Sequence, residues 1–317
     1  MEGMNIIITG GAGFVGSNLV DTLVKASNKI IVVDKEIAPK SIFSQHLLQK
    51  KVVFVKIDIR DKKKVFEVFR KYKPSHVIHL AAQTIVTTAF GNPLETFETN
   101  ILGSINIFEV CRVIGGIKRI VFASSDKAYG KTKKTYTEDS PLAGDHPYDV
   151  SKSSADLISQ TYFKTYNLPV IITRFGNVYG EGDLHFDRIV PGICKAVIEK
   201  NTFEIRSDGQ HIRDYIYVKD VVAGYIFLLT YKGNLDGEAY NFSSMDTFSV
   251  LELIKKMETI LEVKIPYKIL NLARNEIPYQ HLDDSKVRRL GWQSKYTIKN
   301  SLKNILQWYR KILSETK

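Results

Sequence analysis

The first half of the chain alternates short apolar runs with longer stretches in which apolar residues recur at helical spacing. The runs predict six strands, over 5–9, 29–33, 52–57, 77–80, 119–123 and 170–173. The helical patterns lie from residue 16 to about residue 26 and over 62–71, 93–114 and 150–166. Strands that are apolar on both faces and joined by helices predict a doubly wound parallel sheet covered on both sides, a Rossmann-type α/β fold.

The pattern is less regular after residue 174. Residues 175–187 are rich in glycine and predict a loop. Further helices are predicted over 188–200, 248–261 and 298–312, and a strand followed by a helix over 214–230. No clean linker divides the chain. We therefore predict a sheet domain, 1–176 and about 211–240, and a smaller discontinuous α+β domain for substrate, 177–210 and 241–317.

Composition narrows the class of protein. The 317 residues are 44% hydrophobic, which suffices for a sizeable core. The net charge of +11 indicates anionic partners, and without a basic–aromatic stripe we predict phosphorylated small molecules rather than nucleic acid. Cys111 and Cys194 make no disulfide framework, and the seven histidines show no metal spacing. With no signal peptide and no apolar run of about 18 residues, we predict a cytoplasmic protein with no membrane partner.

A glycine-rich turn follows the first strand. The stretch T-G-G-A-G-F-V-G places Gly10, Gly13 and Gly16 between that strand and the first helix, where glycines let a pyrophosphate approach the helix N-terminus. Asp34, at the end of the second strand, is placed to accept ribose hydroxyls and favours NAD over NADP, although the neighbouring Lys35 weakens that preference. Asp58, after the third strand, either reaches adenine or caps the next helix.

Tyr148 and Lys152 lie four residues apart at the start of a predicted helix and so share one face. An ammonium beside a phenol is expected to lower the phenol pKa. Such a tyrosine can take the proton of a substrate hydroxyl while hydride passes to a nicotinamide. Ser125 stands at the end of the fifth strand, in the same predicted region.

Several ordered motifs together resemble the extended short-chain dehydrogenase/reductases, and within them the NAD-dependent nucleotide-sugar epimerases and dehydratases. Besides the glycine turn and Y-D-V-S-K, these are H-L-A-A-Q at 79–83, E-T-N-I-L-G at 98–103, S-S-D-K-A-Y-G at 124–130, R-F-G-N-V-Y-G at 174–180, R-D-Y-I-Y-V-K-D at 213–220 and L-D-D-S-K…L-G-W at 282–292. The resemblance covers nearly the whole chain.

The resemblance implies roles for particular residues. Tyr148 would be the general base, Lys152 would hold the nicotinamide ribose, and Ser125 would bond the sugar hydroxyl at C4. The cofactor NAD would be lined by Gly10, Gly13, Phe14, Val15, Gly16, Asp34, Lys35, Asp58, Ile59, Leu80, Ala81, Ala82, Gln83, Asn100, Ser124, Tyr148 and Lys152. The residues that would contact the substrate are Thr84, Asn177, Arg188, Arg213 and Arg274. His79 and His281 are expected to be structural.

The charged pair Asp126-Lys127 separates two reactions within the resembling family. Both 4-epimerases and 4,6-dehydratases oxidise C4, but only a dehydratase needs an acid at O6 and a base at C5. Asp126 would be the acid and Lys127 the base. We therefore predict a nucleotide-diphosphate-sugar 4,6-dehydratase. A 4-epimerase or 4-dehydrogenase with the same serine, tyrosine and lysine is the alternative, and a structural role for the pair would favour it.

The motifs look most like those of the CDP-glucose 4,6-dehydratases, which favours a CDP-hexose as substrate. Leu184 stands where that group usually has tryptophan, R-D-Y-I-Y-V replaces R-P-W-Q-H-V, and the chain is shorter. GDP-, UDP- and dTDP-sugars therefore stay open. The resemblance also implies a homodimer in which helices around 97–114 and 150–166 pair across a two-fold axis, with Cys111 near the interface.

Overall fold

The structure of the protein is a computed structural model, which describes residues 3–272 and 276–314. Its strands are named here in chain order. They are β1 (Asn5–Thr9), β2 (Lys29–Asp34), β3 (Val53–Lys56), β4 (His76–His79), β5 (Arg119–Ala123), β6 (Val170–Phe175), β7 (Asn177–Tyr179), β8 (Phe203–Ile205), β9 (Ile212–Tyr217), β10 (Ala239–Phe242), β11 (Thr247–Ser249) and β12 (Tyr267–Ile269).

The helices fall between these strands. They are α1 (Phe14–Leu23), α2 (Ile42–Gln45), α3 (Lys62–Tyr72), α4 (Val86–Gly91), α5 (Pro93–Phe97), α6 (Gly103–Ile114), α7 (Pro147–Tyr166), α8 (Ile189–Glu199), α9 (Val218–Thr230), α10 (Val250–Leu261), α11 (Ser285–Arg289) and α12 (Ile298–Ser314). None of them, over the residues that the structure describes, is long and apolar enough to cross a membrane.

The central sheet has seven parallel strands in the order β10-β6-β5-β4-β1-β2-β3. Successive side chains of a strand point to opposite faces, so Ile6 and Ile8 of β1 join one core and Ile7 joins the other. Helices α1 and α9 cover the first face, and α3, α6 and α7 cover the second. The predicted doubly wound α/β fold is confirmed, and Cys111 belongs to the second core.

Two smaller sheets accompany the central one. One has the order β11-β9-β7 and the other pairs β12 with β8. A third core joins residues of α8, α10 and α12 to β7 and β9. Thus β9 belongs to the three-stranded sheet, whereas α9 and β10, which follow it in the chain, pack on or extend the central sheet. The division into two domains stays a prediction.

Two predicted elements needed correction. The loop predicted over 175–187 contains the end of β6 and all of β7, because Phe175 and Tyr179 are buried. Gly176 interrupts the apolar pattern of this segment, so the pattern did not predict β7. A Cβ at position 176 would lie 2.9 Å from the Cβ of Asp214, so glycine is what lets the chain approach β9. The helix predicted over 93–114 is interrupted by a π-helical turn, Glu98–Leu102, between α5 and α6.

Candidate active site

The glycine turn lies at the carboxyl edge of the central sheet. Gly10 has a left-handed backbone (φ +71°), and a Cβ on it would lie 2.6 Å from the backbone nitrogen of Ala81. A Cβ on Gly16 would lie 2.1 Å from the carbonyl oxygen of Gly10. Gly13 precedes α1, and no side chain caps the first turn, which contains Phe14 and Val15. The backbone N–H groups of this turn therefore remain available to an anion.

The ends of β2 and β3 bring two carboxylates to the same edge. Asp34 accepts hydrogen bonds from the backbone N–H groups of Ala12 at 3.0 Å and Lys35 at 2.8 Å, and burial raises its pKa. Asp58 accepts from the Arg60 guanidinium at 2.8 and 3.0 Å. The alternative that Asp58 caps α3 is wrong, because Asp61 is the residue that accepts from Lys64 N–H at the helix start. The neighbouring Ile59 is buried against Gly103 of α6.

The loop after β4, with Leu80, Ala81, Ala82 and Gln83, is held from beneath by Asn100. The Asn100 side chain accepts from Gln83 N–H at 2.7 Å and donates to the Gln83 carbonyl and to Ser151 Oγ, each at 2.9 Å. His79 is buried between Thr9 and Ser104, and burial lowers its pKa to about 3. His79 is therefore a neutral structural residue, as predicted.

Ser125, Tyr148 and Lys152 converge where β5 ends and α7 begins. The Tyr148 phenol is buried close to the Ser125 hydroxyl. Lys152 Nζ donates to the carbonyl oxygen of Ala123 at 2.9 Å, and burial lowers its pKa to about 8. The prediction of a lowered phenol pKa is wrong for the chain alone: burial and the charge of Asp126 raise the pKa of Tyr148.

Asp126 and Lys127 face this group from the turn after β5, a 3₁₀ helix at Asp126–Tyr129. Their Oδ1 and Nζ atoms are 3.5 Å apart, with Asp126 1% and Lys127 20% exposed. Asp126 also accepts from Ser125 Oγ and from Gln280 Nε2, each at 3.0 Å, and Lys127 donates to Asn177 Oδ1 at 3.3 Å. The pair is thus part of the site rather than a solvated surface pair.

A buried polar network adjoins the site at Ser124. Ser124, expected near the cofactor, donates its hydroxyl proton to Asp156 at 2.6 Å. Arg174 binds both oxygens of Asp156, at 2.8 and 2.9 Å, and donates to the hydroxyl of Tyr129 at 2.7 Å. Tyr129 in turn donates to Asn241 of β10 at 2.7 Å. The network joins the ends of β5, β6 and β10 to α7.

The predicted substrate residues come from several segments of the chain. Arg188 bonds Thr84 Oγ1 at 3.0 Å and Asp183 at 3.2 Å, and its charge acts on Tyr148. Arg213 contacts Glu276 at 3.3 Å. Arg274 lies outside the described residues.

Sequence reasoning missed two residues of the 276–284 segment. Glu276 contacts both Arg213 and His211, and Gln280 donates to Asp126 across 154 positions of the chain. Neither follows a strand or a glycine turn, so no motif signalled them. His281 pairs with Asp214 at 2.8 Å, which raises its pKa and agrees with the structural role predicted for it.

Asp149, between Tyr148 and Val150, is a further buried carboxyl group. Burial raises its pKa from the ordinary 3.8 to about 7, against the opposing charge of Lys127. Its contribution to stability is therefore complete below pH 3.8 and is lost as the pH rises towards 7.

We expect the stability of Asp149→Asn not to fall in this way between acid and neutral pH, because an amide does not ionise. Relative to the wild type, its free energy of unfolding should gain roughly 3 kcal/mol between about pH 4.5 and pH 8, measured by urea unfolding at both pH values. Asp139→Asn, an exposed carboxyl group, serves as the control and should show no such gain. A constant difference between Asp149→Asn and the wild type would contradict the prediction.

The chain is similar, in sequence and in structure, to known nucleotide-sugar dehydratases. The family model described as GDP-mannose 4,6 dehydratase matches residues 7–305. The chain is 31% identical to the dTDP-glucose 4,6-dehydratase of Haemophilus influenzae, covering 96% of this chain and 98% of that protein. The Bacillus anthracis dTDP-glucose 4,6-dehydratase in complex with NAD superimposes with a TM-score of 0.85 at 28% identity, covering 97% of each chain.

An epimerase is equally similar in structure. The UDP-glucose 4-epimerase of Thermotoga maritima with UDP-glucose has a TM-score of 0.89 at 30% identity, covering 98% of this chain and 100% of that one. The fold and the side chains at the sheet edge thus define an extended short-chain dehydrogenase/reductase of the epimerase and dehydratase type. Within that class, the chain belongs to the GDP-mannose 4,6 dehydratase family. The resemblance seen in the sequence motifs is confirmed.

Proposed function

We propose that the protein is an NAD-dependent nucleotide-diphosphate-sugar 4,6-dehydratase. The observation that carries the proposal is the Asp126–Lys127 pair, which lies beside Ser125 and Tyr148 with Asp126 buried and Lys127 partly buried. Oxidation at C4 needs only the serine, the tyrosine and Lys152. An acid and a base in the same pocket are what the removal of water across C5 and C6 additionally requires. The dehydratases among its relatives support the same reaction.

The residues present fit the cofactor. The glycine turn and the uncapped start of α1 would hold the pyrophosphate, because only glycine at positions 10 and 16 avoids a collision with the neighbouring backbone and keeps the turn this tight. Asp34 would bind the adenosine ribose, and Asp58 with Ile59 would lie against adenine. Lys152 and the loop over 80–83, supported by Asn100, would hold the nicotinamide end. When bound, NAD accepts hydride from C4 and returns it at C6.

The protein's own groups move the protons. Tyr148 takes the proton of the C4 hydroxyl, and Ser125 donates a hydrogen bond to the same oxygen. The ketone formed at C4 acidifies the hydrogen at C5, which Lys127 removes. Asp126 protonates the departing hydroxyl at C6, so water leaves and a C5–C6 double bond forms. Lys127 then returns its proton to C5, which completes a 4-keto-6-deoxy sugar, and transfer of the proton on Tyr148 to Asp126 restores both groups.

The pair can prepare itself for these two tasks. With Lys127 Nζ 3.5 Å from Asp126 Oδ1, one proton moved from the lysine to the carboxylate leaves an amine for C5 and a carboxylic acid for O6.

The substrate would lie beside Ser125 and Tyr148. Thr84, Asn177 and Arg188 would meet the sugar and its phosphates, and Arg274 would bind the nucleotide. Arg213 would bind the diphosphate with its guanidinium, now in contact with Glu276. The sequence favours a CDP-hexose, whereas relatives carry dTDP and UDP in their names. The preference for CDP is therefore part of the proposal to be tested first.

A panel of CDP-, dTDP-, UDP- and GDP-hexoses incubated with the protein and NAD tests the function. A product lighter by one water, with a 4-keto group, is the expected result for one nucleotide. A product of unchanged mass with inverted C4 would establish the alternative, a 4-epimerase. The similarity to the Thermotoga maritima epimerase is the observation that favours that alternative.

We also propose that the protein is a cytoplasmic homodimer. Its buried free cysteines, Cys111 and Cys194, accord with a reducing compartment. Helices α4 to α7 pack together and expose large apolar side chains, among them Phe90, Leu102 and Leu157. A second copy of the chain, pairing α6 and α7 across a two-fold axis, would cover this surface.

Leu157→Glu should make the protein monomeric. A charge at the centre of an apolar interface loses its solvation when the interface closes, so association becomes unfavourable. Sedimentation velocity at micromolar concentration should show a dimer for the wild type and a monomer for the variant. Val263→Glu, an equally drastic change at an exposed position beyond α10, should remain dimeric. A monomeric wild type would contradict the proposed dimer.

A further inference from the structure

The helix that carries Tyr148 and Lys152 is capped by a histidine. His146 has an extended backbone at the start of α7, and its Nδ1 accepts the backbone N–H of Tyr148 at 3.3 Å. Helix caps are usually Ser, Thr, Asp or Asn, whose oxygens accept such a bond near neutral pH. An imidazole differs, because Nδ1 can accept only while it carries no proton.

The surroundings of His146 favour the neutral ring. The side chain is 9% exposed and stacks on Phe90 of α4, with ring centroids 6.4 Å apart. Burial lowers its pKa from 6.5, Lys131 lowers it further, and Asp145 opposes both.

The other charged groups near the ring are accounted for. Asp145 and Lys131 pair with each other at 2.8 Å. α4 has no titratable side chain, Glu95 of α5 bonds Asn92, and Asp149 lies in the first turn of α7 itself.

We propose that His146 is a positioning residue for Tyr148, whose neutral ring fixes the first turn of α7 and whose protonation removes the cap. The proposal rests on the proposed function, since it takes Tyr148 as the base at O4. A protonated ring would also set a positive charge against the positive end of the α7 dipole. Both effects loosen the backbone of Tyr148 as the pH falls below 6.5.

Two substitutions separate the cap from its titration. His146→Ala removes the cap, and His146→Asn keeps a cap that does not titrate. At about pH 8, kcat of the alanine variant should be about five- to tenfold lower than that of the wild type with little change in KM, and asparagine should restore it. Between about pH 8 and pH 5.5, kcat of the wild type should fall more steeply than that of His146→Asn. Equal slopes, or unchanged kcat in His146→Ala, would overturn the proposal.

Amide hydrogen exchange tests the cap without any turnover. The peptide over 146–152, with rates corrected for the intrinsic effect of pH, should lose protection in His146→Ala and in the wild type at low pH, but not in His146→Asn. Equal protection in all three proteins would refute the cap even if the enzyme proved active. Loss of protection as expected in a protein inactive on every sugar would instead refute only the proposed function.

Ser249→Ala is the matched control. Ser249 caps α10 by accepting Glu252 N–H at 3.2 Å, so its removal costs a helix cap of the same kind elsewhere in the fold. We expect this variant to lose stability while the acid side of its pH profile stays that of the wild type. A changed acid side would mean that any lost cap has this effect, and would overturn a specific role for His146.

Discussion

Tyr148→Phe should abolish turnover while leaving NAD bound. Phenylalanine keeps the ring that fills the space beside Ser125 but cannot take the proton of the C4 hydroxyl, so oxidation at C4 has no base. Loss of a positioned base typically costs about 10²- to 10⁴-fold in rate. The rate of product formation and the cofactor content of the purified protein are the two measurements.

Tyr179→Phe is the control for this change. Tyr179 is also buried, its side chain belongs to the third core, and its hydroxyl lies 3.1 Å from Ser301 rather than against the proposed catalytic groups. That variant should turn over normally with a modest loss of stability. Near wild-type turnover in Tyr148→Phe would remove the assignment of Tyr148 as the base.

Asp126→Asn should separate oxidation from dehydration. The amide keeps the shape of the side chain but has no proton to give to the hydroxyl leaving C6, so elimination stops while oxidation at C4 continues. We expect at least about a 10²-fold loss of dehydrated product, together with reduced cofactor absorbance or exchange of the C4 hydrogen. Normal dehydration by this variant would make the charged pair structural and favour the epimerase alternative.

Lys127→Met should fail at the same step, with slow exchange of the C5 hydrogen in heavy water. The double variant should be no worse than either single one, because residues that act in one step are not additive. Glu238→Gln, which breaks an exposed ion pair with Lys286, is the control and should leave dehydration unchanged. Additive losses would instead indicate that Asp126 and Lys127 serve separate steps.

Much of the fold could be predicted because each central strand is a nearly uninterrupted apolar run. The bounds of β1 and β5 agree with the prediction, and the glycine turn lies between β1 and α1 as predicted. The strand β7 could not be predicted, because Gly176 breaks its pattern for a reason that lies in β9. Pairing of β9 with β7 and β11 depends on contacts between distant segments, which periodicity does not contain.

The sequence predicted only those site residues that belong to a recognisable motif. Positions next to strand ends were located, but Gln280 contacts Asp126 through a fold that no local pattern encodes. The direction of the Tyr148 pKa shift was wrong for a related reason. The spacing of residues along the helix predicted that Lys152 would lie near Tyr148. Burial has the larger effect on the pKa of Tyr148, and it depends on how distant segments of the chain pack around the phenol.

The network around Arg174 constrains how this protein can change over generations. Arg174 and Asp156 are both almost fully buried, so loss of either one leaves a charge without its partner, at a cost of about 3–5 kcal/mol. Replacement of both together by apolar residues avoids the unpaired charge but leaves the hydroxyls of Ser124 and Tyr129 without these partners. A lineage can leave this arrangement only by two simultaneous changes. Either single change passes through a destabilised protein, so we expect Arg174 and Asp156 to be kept or lost together in descendants of this chain.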